Sequence, residues 1–481
     1  MQDSVKIIGR ENEIEKLNKL LSSKQSEFLA IYGRRRVGKT FLIRQHFKNN
    51  LVFDFSGTKD ISITQQLSNF FDEYLNSTKG QRETKMPTSW HEAFRYLANF
   101  LRAESELNPN QKLVVFIDEM PWIDTPKSEF IAALEFFWNQ HVSKLNNIIL
   151  IGCGSTSSWI RKKLINARGG LYNRITQRIK LRAFSLHETE LFLLEKGINY
   201  SRYQILELYM AMGGIPFYLN EIERGKSAVQ SINEICFSKD GLLHDEYFQL
   251  YHSLFRNAEN HIKIIETMAS KPQGMIRADL LNETKISDAS LGRALEELVE
   301  CDFISIYQPL INKKKESIYK LTDLYSLFYL KFIRNNKGNK SWEQLSNQST
   351  YTAWSGYAFE NICMQHIEQI KIALGISGIF SNTSSWKFKG NDELLGTQID
   401  MLIDRADQVI NLCEVKFTKD NFVITNNYST QLKLKKSIFR QVTQTKKAIF
   451  TTLITTYPAI RNKYYLEEID NEIHMEKLFE K

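Results

Sequence analysis

Residues 28–40 read FLAIYGRRRVGKT, and the amphipathic pattern FLIRQHF follows them. An apolar strand, a loop of the form GxxxxGKT and a helix therefore succeed one another along the chain. The N–H groups of such a loop, together with the N-terminus of the helix, cradle the phosphates of a nucleoside triphosphate. Lys39 is expected to reach the β and γ phosphates, and Thr40 a magnesium ion. The predicted nucleotide-binding loop consists of Gly33, Arg34, Arg35, Arg36, Val37, Gly38, Lys39 and Thr40.

A second apolar run, LVVFIDE at 113–119, ends in two carboxylates. We expect Asp118 to hold magnesium through water and to line the nucleotide site, and Glu119 to polarise the attacking water. Neighbouring residues of a strand point to opposite faces, so the two acids need not compete for one role. The next run, IILIGCGS at 148–155, ends at Ser155. Ser155 is a candidate sensor of the γ phosphate, and a capped loop explains this serine almost as well.

Several arginines have more than one interpretation. The consecutive Arg34, Arg35 and Arg36 are unusual beside bound phosphates, and they are either solvated or dock another domain. Arg174 is a candidate charge-stabilising finger for its own site or for a neighbouring subunit of a homo-oligomer, and Arg178 a weaker one. A surface or ion-paired arginine is the commoner role in a segment such as NRITQRIKLR.

The order of patterns predicts four segments in the 481 residues. Short apolar runs alternate with helical stretches up to residue 184, which is typical of an α/β unit with a parallel sheet. Helical periodicity then dominates 185–260. Residues 261–335 read as three helices and a β-hairpin, with Asp288 as the expected N-cap of the third helix, which predicts a winged helix. The polar stretch 334–350 reads as a linker before an α+β segment, 345–481.

Composition narrows the class of protein. The chain is 42% apolar with a formal net charge of +8, which permits a polyanionic partner without requiring one. No apolar run approaches the roughly 18 residues that a membrane span needs, and MQDSVKIIGR has no apolar signal core. We therefore expect a cytoplasmic protein without a membrane partner. Five scattered cysteines predict buried free thiols, because they form neither a disulfide framework nor a zinc motif.

Five motifs together resemble the archaeal-type ATPase family, which belongs with the STAND branch of AAA+-like P-loop NTPases. The motifs are YGRRRVGKT, FIDE, GCGS, GGIPFYL at 213–219 and YKLTDLYSLFYL at 319–330. The resemblance implies an ATP-binding core, a helical lid, a winged helix and a C-terminal restriction-endonuclease-like domain. It also implies that the turn containing Pro216 lies near the adenine, whereas from the residues alone GGIP is only a helix-ending turn.

In the C-terminal segment, Glu360, Asp400, Glu414 and Lys416 are the candidate catalytic residues. Glu414 and Lys416 project to one face of a strand, where an aspartate from the preceding strand can join them. Asp400 and Glu414 are thus candidate ligands of one or two magnesium ions, and Lys416 offsets phosphate charge. The set is similar to the PD-(D/E)XK nuclease signature, with Glu360 as its upstream helical acid. The alternatives are an exposed Glu414–Lys416 pair and an inactive nuclease fold.

Two basic stretches have an open interpretation. The run QLKLKKSIFRQVTQTKK at 431–447 contains six cations and no acid, and it either neutralises DNA phosphates or forms a solvated helix face. Lys313, Lys314 and Lys315, at the predicted wing tip, are equally ambiguous.

The sequence thus predicts an ATPase that uses ATP and Mg²⁺ and is coupled to a magnesium-dependent DNA nuclease-like domain. The alternative is a signalling or regulatory ATPase whose winged helix binds DNA or a protein, with an inert C-terminal domain. Both alternatives share the predicted architecture: an α/β P-loop NTPase core, a helical lid, a winged helix and a C-terminal α+β domain.

Overall fold

The computed structural model describes residues 6–80, 85–166, 169–308, 317–336 and 340–481. They form two compact units, Met1–Arg182 and Ala183–Lys481.

The first unit contains a five-stranded parallel sheet in the order β2-β3-β4-β1-β5. Its strands are β1 (Glu27–Tyr32), β2 (Leu51–Ser56), β3 (Leu113–Asp118), β4 (Ile148–Gly154) and β5 (Gln177–Lys180). The short apolar runs of the sequence form these strands, and β3 and β4 are buried along their whole length. Because the strands are parallel, the segments that follow β1, β3 and β4 all leave the sheet at one edge. This confirms the predicted α/β core.

Helices enclose this sheet. They are α1 (Glu11–Leu21), α2 (Lys39–His46), α3 (Ile63–Thr78), α4 (Trp90–Leu107), α5 (Met120–Ile123), α6 (Phe130–Gln140) and α7 (Ser157–Ile160). Aromatic side chains dominate the core that the helices share with the strands: Phe53 and Phe55 of β2 pack on Phe70, which contacts Trp90.

The second unit begins with helices, as predicted for 185–260. They are α8 (Leu186–Glu195), α9 (Arg202–Met212), α10 (Pro216–Leu219), α11 (Ala228–Phe237) and α12 (Glu246–Leu254). The sequence explains three of these starts, because Ser185, Ser201 and Ser227 each form a capping box with the residue three positions later.

A small helix-and-sheet module follows. Its helices are α13 (Ala258–Ala269), α14 (Arg277–Thr284) and α15 (Asp288–Glu300), and its strands are β6 (Met275–Ile276), β7 (Ile304–Tyr307) and β8 (Ile318–Leu321). The predicted hairpin is β7–β8, which is antiparallel, and β6 adds a third strand that the sequence did not indicate. The predicted N-cap was wrong by one residue: Ser287 occupies that position and Asp288 begins α15. Lys313, Lys314 and Lys315 lie outside the described residues.

The stretch 334–350 was wrongly predicted as a linker. It follows α16 (Leu324–Phe328) and contains α17 (Trp342–Ser346) and the start of α18 (Ser349–Gln365). Trp342 is buried, stacks on Phe237 and meets Phe328 edge-on. One aromatic side chain therefore anchors an otherwise polar stretch to the preceding helices, because burying so large an apolar surface is favourable.

The C-terminal part is a five-stranded mixed sheet, in the order β13-β12-β11-β10-β9, with helices packed against it. Strands β9 to β11 are antiparallel neighbours, and β11, β12 and β13 are parallel. Helix α18 precedes the sheet and contacts β11, whereas α20 connects β11 to β12. The remaining elements are α19 (Ile367–Ala373), β9 (Ser381–Phe388), β10 (Thr397–Arg405), β11 (Val409–Lys416), α20 (Asn426–Thr443), β12 (Ala448–Thr455), α21 (Lys463–Glu468) and β13 (Asn471–His474).

Within the described residues, every helix is too short or too polar to cross a membrane. All five cysteines are free and buried, as predicted: Cys153 in the first unit, and Cys236, Cys301, Cys363 and Cys413 in the second.

Candidate functional site

The loop between β1 and α2 depends on two glycines. Gly33 has a φ of 147°, and a Cβ at this position would lie 2.1 Å from the main-chain oxygen of Leu181. Gly38, with a φ of 91°, occupies the N-cap position of α2. Both backbone conformations disfavour any larger residue. The GxxxxG spacing is therefore required by the local backbone itself.

Lys39 points back over this loop and is buried. Its Nζ donates to Gly33 O and Arg34 O, both at 2.9 Å, and to Ser155 Oγ at 3.2 Å. All three acceptors are uncharged. A buried ammonium among neutral oxygens favours the binding of an anion, because the charge has lost its hydration without gaining a counter-charge from these neighbours. This arrangement fits a phosphate group.

Two pairs of side chains adjoin the lysine. Thr40 Oγ1 donates to Asp118 Oδ2 at 2.5 Å, which brings together the two oxygen ligands predicted for magnesium. Glu119 accepts from Ser155 Oγ at 2.6 Å and from the Ser155 N–H at 3.2 Å. The Ser155 hydroxyl therefore lies between Lys39 and Glu119. These contacts place the side chain predicted as a sensor in direct contact with the predicted water-polarising residue.

The glycines of GCGS have a packing reason that the sequence did not reveal. A Cβ on Gly152 would lie 2.7 Å from Met120 Sδ, and one on Gly154 would lie 2.7 Å from Pro121 Cδ. Helix α5 starts directly after Glu119 and therefore lies close against β4. Glu119 adopts a φ of 47° at the start of α5. The close packing of α5 on β4 holds its carboxylate beside Ser155, the residue that follows β4.

The loop arginines differ from one another. Arg34 is buried and Arg36 is half-buried, so only Arg35 fits the solvated interpretation. A further arginine, Arg10, contributes from outside the motif: its Nη2 donates to Val37 O at 3.1 Å in a buried contact. The IIGR stretch before α1 carries no spacing pattern that indicates this role.

Arg174 and Arg178 lie away from the predicted phosphate position in their own chain. Thr176 exchanges hydrogen bonds with Phe28 near the start of β1, whereas the phosphate loop follows the end of that strand. The exposed Arg174 precedes Thr176, and Arg178, on the edge strand β5, pairs with Ala30 of β1. Parallel strand order therefore puts Arg174 at the edge of the sheet opposite the phosphate loop, and its role as a finger for its own site stays a prediction. A role toward a neighbouring subunit stays a prediction.

Pro216 lies in the second unit, where it is the first residue of α10. The turn before it is tight: a Cβ on Gly214 would lie 2.0 Å from Phe184 O, and the Phe184 N–H donates to Gly214 O at 2.6 Å. Backbone packing therefore explains this turn, and the adenine contact stays a prediction.

In the C-terminal sheet, Asp400 on β10 and Glu414 on β11 occur at the same end of two paired strands. Met401 pairs with Cys413, and the Val415 N–H donates to Asp400 Oδ2 at 3.1 Å. Lys416 lies on the same face as Glu414, with 3.7 Å between Lys416 Nζ and Glu414 Oε2. These three predicted residues are thus brought together.

Helix α20 adds two residues that the sequence did not single out for this cluster. Lys435 Nζ lies 2.6 Å from Glu414 Oε1, and the Tyr428 hydroxyl donates to Glu414 Oε2 at 3.0 Å. Tyr428 and Lys435 are seven residues apart, so they lie on one face of the helix two turns from each other. This spacing identifies both residues once the face of α20 that packs on the sheet is known.

Glu360 on α18 belongs to the same cluster. Burial, followed by the negative charge of Asp400, raises the pKa of Glu360 to about 7, and Lys320 and Lys416 oppose this rise. Glu360 Oε2 lies 3.9 Å from the Nζ of Lys320, a residue of β8. The cluster therefore contains three acids and several lysines within one partly buried region.

The acids of this cluster offer part of a magnesium site. Asp400 and Glu414 offer the hard oxygen donors that Mg²⁺ prefers, and the ion keeps several waters when it is bound by few carboxylates. Both Glu414 oxygens already contact Lys435 or Tyr428. The described part of the chain has no group of three or more histidine, cysteine, aspartate or glutamate residues arranged for a metal. The two-carboxylate donor set fits Mg²⁺ only with water or phosphate oxygens completing its shell.

The basic run 431–447 is mostly ion-paired within its own domain. Its partners come from other elements, which explains why the run itself contains no acid. The pairs are Lys433 with Glu467 and Glu468, Lys435 with Glu414, Lys436 with Asp470, and Lys447 with Asp404. Arg440 and Lys446 are exposed. Neither a free phosphate-binding strip nor a purely solvated face describes this helix.

Comparisons with known proteins assign the first part of the chain. Residues 7–222 match a family model described as an ATPase domain predominantly from Archaea. An uncharacterized ATP-binding protein from Methanocaldococcus jannaschii is 35% identical over 52 residues, which are 11% of this chain and 88% of that protein. Residues 7–222 therefore belong to the archaeal-type ATPase family.

Longer but weaker similarities extend further along the chain. An uncharacterized protein from Methanocaldococcus jannaschii is 22% identical over 392 residues, which are 80% of this chain and 82% of the relative. A Walker-type ATPase of Pyrococcus abyssi is 20% identical, with a TM-score of 0.49, 68% of this chain covered and 96% of that one. The ORC2 protein of Aeropyrum pernix, in ADPNP and ADP complexes, is 14% identical, with a TM-score of 0.44 and coverages of 68% and 93%.

Proposed function

We propose that this chain, whose residues 7–222 form an archaeal-type ATPase domain, uses ATP and Mg²⁺ to control a magnesium-dependent DNA nuclease in its C-terminal domain. The observation that carries the nuclease part is the meeting of Asp400, Glu414 and Lys416 on one face of paired strands.

At the ATP site, Lys39 balances the charge of the phosphates, and Thr40 and Asp118 are the residues that would hold Mg²⁺. The bound ion would neutralise charge that develops on the phosphoryl oxygens. Glu119 accepts a hydrogen bond from Ser155 and serves as the residue that orients water. The Ser155 hydroxyl also accepts a hydrogen bond from Lys39. It therefore links the phosphate-binding lysine to the water-orienting carboxylate, so a shift of one side chain changes the position of the other.

At the second site, Asp400 and Glu414 would hold the metal, which would supply an activated water and steady the leaving oxygen. Lys416 offsets the negative charge of the phosphate. Lys435 and Tyr428 hold the Glu414 carboxylate in place, so its orientation is already determined before any ligand arrives.

The nuclease experiment uses the full chain with supercoiled plasmid, linear duplex and single-stranded DNA, with and without ATP and Mg²⁺ or Mn²⁺. Asp400→Asn and Glu414→Gln should each abolish cleavage and leave ATP hydrolysis unchanged. Asp404→Asn is the matched control, because Asp404 lies on the same strand as Asp400 but pairs with Lys447 instead. Cleavage that persists in both site variants would refute the nuclease assignment.

The ATPase assignment is tested separately. Glu119→Gln should retain nucleotide binding and suppress phosphate release. Asp54→Asn, which alters the pair of this β2 residue with Arg44 of α2, should leave both unchanged. Normal hydrolysis by Glu119→Gln would show that another group orients the water.

A regulatory ATPase with an inert C-terminal domain is the second candidate, and one observation favours it. The ion pair of Lys435 with Glu414 and the hydrogen bond from Tyr428 satisfy both carboxylate oxygens without a metal. In that case the winged helix, 261–335, binds DNA or a protein and the C-terminal domain only supports it. DNA binding without cleavage, unaffected by Asp400→Asn, would distinguish this candidate.

The proposed homo-oligomer can be tested through Arg174. Its exposed side chain is proposed to act on a neighbouring subunit. ATP hydrolysis per chain should then rise with protein concentration, and Arg174→Ala should remove that rise. Arg95→Ala is the control, because Arg95 is an exposed arginine of the same unit that pairs with Glu92 on its own helix.

A further inference from the structure

Lys320 is a buried lysine of the small module formed by α13 to α15 and β6 to β8, here called the winged-helix module after its predicted fold, and that fold does not explain its role. It lies on β8 opposite Ser305, and 4% of its side chain is exposed. Its Nζ lies 3.9 Å from Glu360 Oε2 and 4.8 Å from the centroid of the Tyr357 ring. Both neighbours belong to α18, outside the module that contains Lys320. A buried ammonium is costly unless a negative group compensates it, and Glu360 is that group here.

Helix α18 is held against the end of β8 by side-chain hydrogen bonds to main-chain oxygens. Tyr357 and Asn361 donate to Leu321 O at 3.5 and 3.4 Å, and Gln365 Nε2 donates to Thr322 O at 2.9 Å. The three donors are spaced four residues apart, so they form one stripe along the helix. Glu360 adjoins this stripe. The main chain at the end of β8 therefore fixes the position of the helix backbone that carries Glu360.

A second contact joins the same two parts of the chain. Gln273, in the turn before β6, hydrogen-bonds to Gln398 of β10 and to Lys387 of β9. The strand that carries Asp400 is thus also tied to the winged-helix module. Both contacts lie inside the second compact unit.

Glu360 faces charges of both signs. Asp400 and Glu414 repel its carboxylate, whereas Lys320 and Lys416 attract it. The Nζ of Lys416 lies 3.7 Å from Glu414 Oε2, so part of the positive charge of Lys416 is offset by Glu414 rather than by Glu360. Like charges that share one site disfavour each other's ionised form unless a cation offsets them. Lys320 is the cation in contact with Glu360 itself.

We propose that Lys320 is a positioning residue of the carboxylate cluster: it holds Glu360 beside Asp400, so the winged-helix module completes a site in the C-terminal domain. The inference rests on the proposed nuclease function for the meaning of that site. Lys320 does not touch DNA in this scheme, because its ammonium is enclosed between β8 and α18. It acts through Glu360.

The test compares Lys320→Met, which keeps the length of the side chain without its charge, with Lys320→Arg, which keeps the charge. Lys271→Met is the matched control, because Lys271 belongs to the same module but is exposed and contacts Glu283. Lys320→Met should lower kcat for plasmid cleavage at least tenfold with little change in KM, and Lys320→Arg should restore most of it. Equal impairment by both substitutions, or none by Lys320→Met, would overturn the proposal.

A second measurement separates this inference from the nuclease function. The free energies of unfolding of wild type, Lys320→Met, Glu360→Gln and the double variant, measured on the full chain by urea unfolding, form a double-mutant cycle that requires no DNA cleavage. Changes that are not additive support the pairing, and additive changes overturn it. If the wild-type protein neither binds Mn²⁺ nor cleaves DNA while the cycle is not additive, the nuclease function is refuted and the pairing stands.

Discussion

His366 should make the second unit sensitive to mild acid. This histidine, the residue between α18 and α19, is fully buried. Its Nε2 accepts the Leu186 N–H at 3.0 Å, and its Nδ1 contacts Ile362 O at 2.9 Å. Burial lowers the pKa of His366 from 6.5 to about 4. The folded chain therefore keeps a neutral imidazole with an unprotonated Nε2. Protonation of Nε2 would break its hydrogen bond with Leu186 at the start of α8.

The magnitude follows from the two pKa values. Because the unfolded chain binds this proton more readily than the folded chain, the free energy of unfolding falls as pH falls below 6.5. The loss should be about 2 kcal/mol near pH 5 and about 3 kcal/mol near pH 4. The contribution is fully present above pH 6.5.

Urea unfolding of wild type and His366→Gln, followed between about pH 4.5 and 8, measures this effect. The variant lacks the titrating group, so it should lose less stability than wild type on acidification, even if it is less stable at neutral pH. His252→Gln is the control, because 53% of that histidine's side chain is exposed. Parallel acid losses in wild type and His366→Gln would refute the reasoning.

Three further outcomes concern the predicted nucleotide site. Gly33→Ala should destabilise the first unit by about 2 to 4 kcal/mol, because the added Cβ would meet a main-chain oxygen. Gly38→Ala should cost about 1 kcal/mol, because the space around that position is open. Thermal unfolding of the two variants measures the difference. Ser155→Ala should slow ATP hydrolysis at least tenfold with less than a threefold change in nucleotide affinity, since it removes the hydroxyl bonded to Glu119; a similar loss of both would contradict this. Lys39→Ala should abolish binding of a fluorescent ATP analogue while the folded state, followed by circular dichroism, persists.

The nucleotide loop could be predicted because its determinants are local. Gly33 and Gly38 shape a single loop, Lys39 and Thr40 follow that loop directly, and Asp118 and Glu119 are adjacent in the chain. Arg174 was different, because its distance from the loop depends on which end of a parallel strand it precedes. Sequence spacing alone does not contain that information.

The C-terminal cluster could be predicted only in part. Asp400, Glu414 and Lys416 follow from strand alternation and pairing, which are short-range rules. Lys320 comes from a strand forty residues before Glu360, and the two meet only because α18 docks on β8. Trp342 similarly anchors the polar stretch 334–350, because its ring is buried against Phe237. Such contacts depend on tertiary packing, which outweighs local propensity.

The buried cysteines make the protein its own unfolding reporter. A thiol that is closed off from solvent reacts with an alkylating reagent only after the surrounding structure opens, so each rate of labelling measures one opening event. Cys153 reports on the ATPase unit, and Cys236, Cys301, Cys363 and Cys413 report on different parts of the other unit. Peptide-resolved labelling with and without ATP would therefore reveal which opening events the nucleotide slows, with no engineered probe.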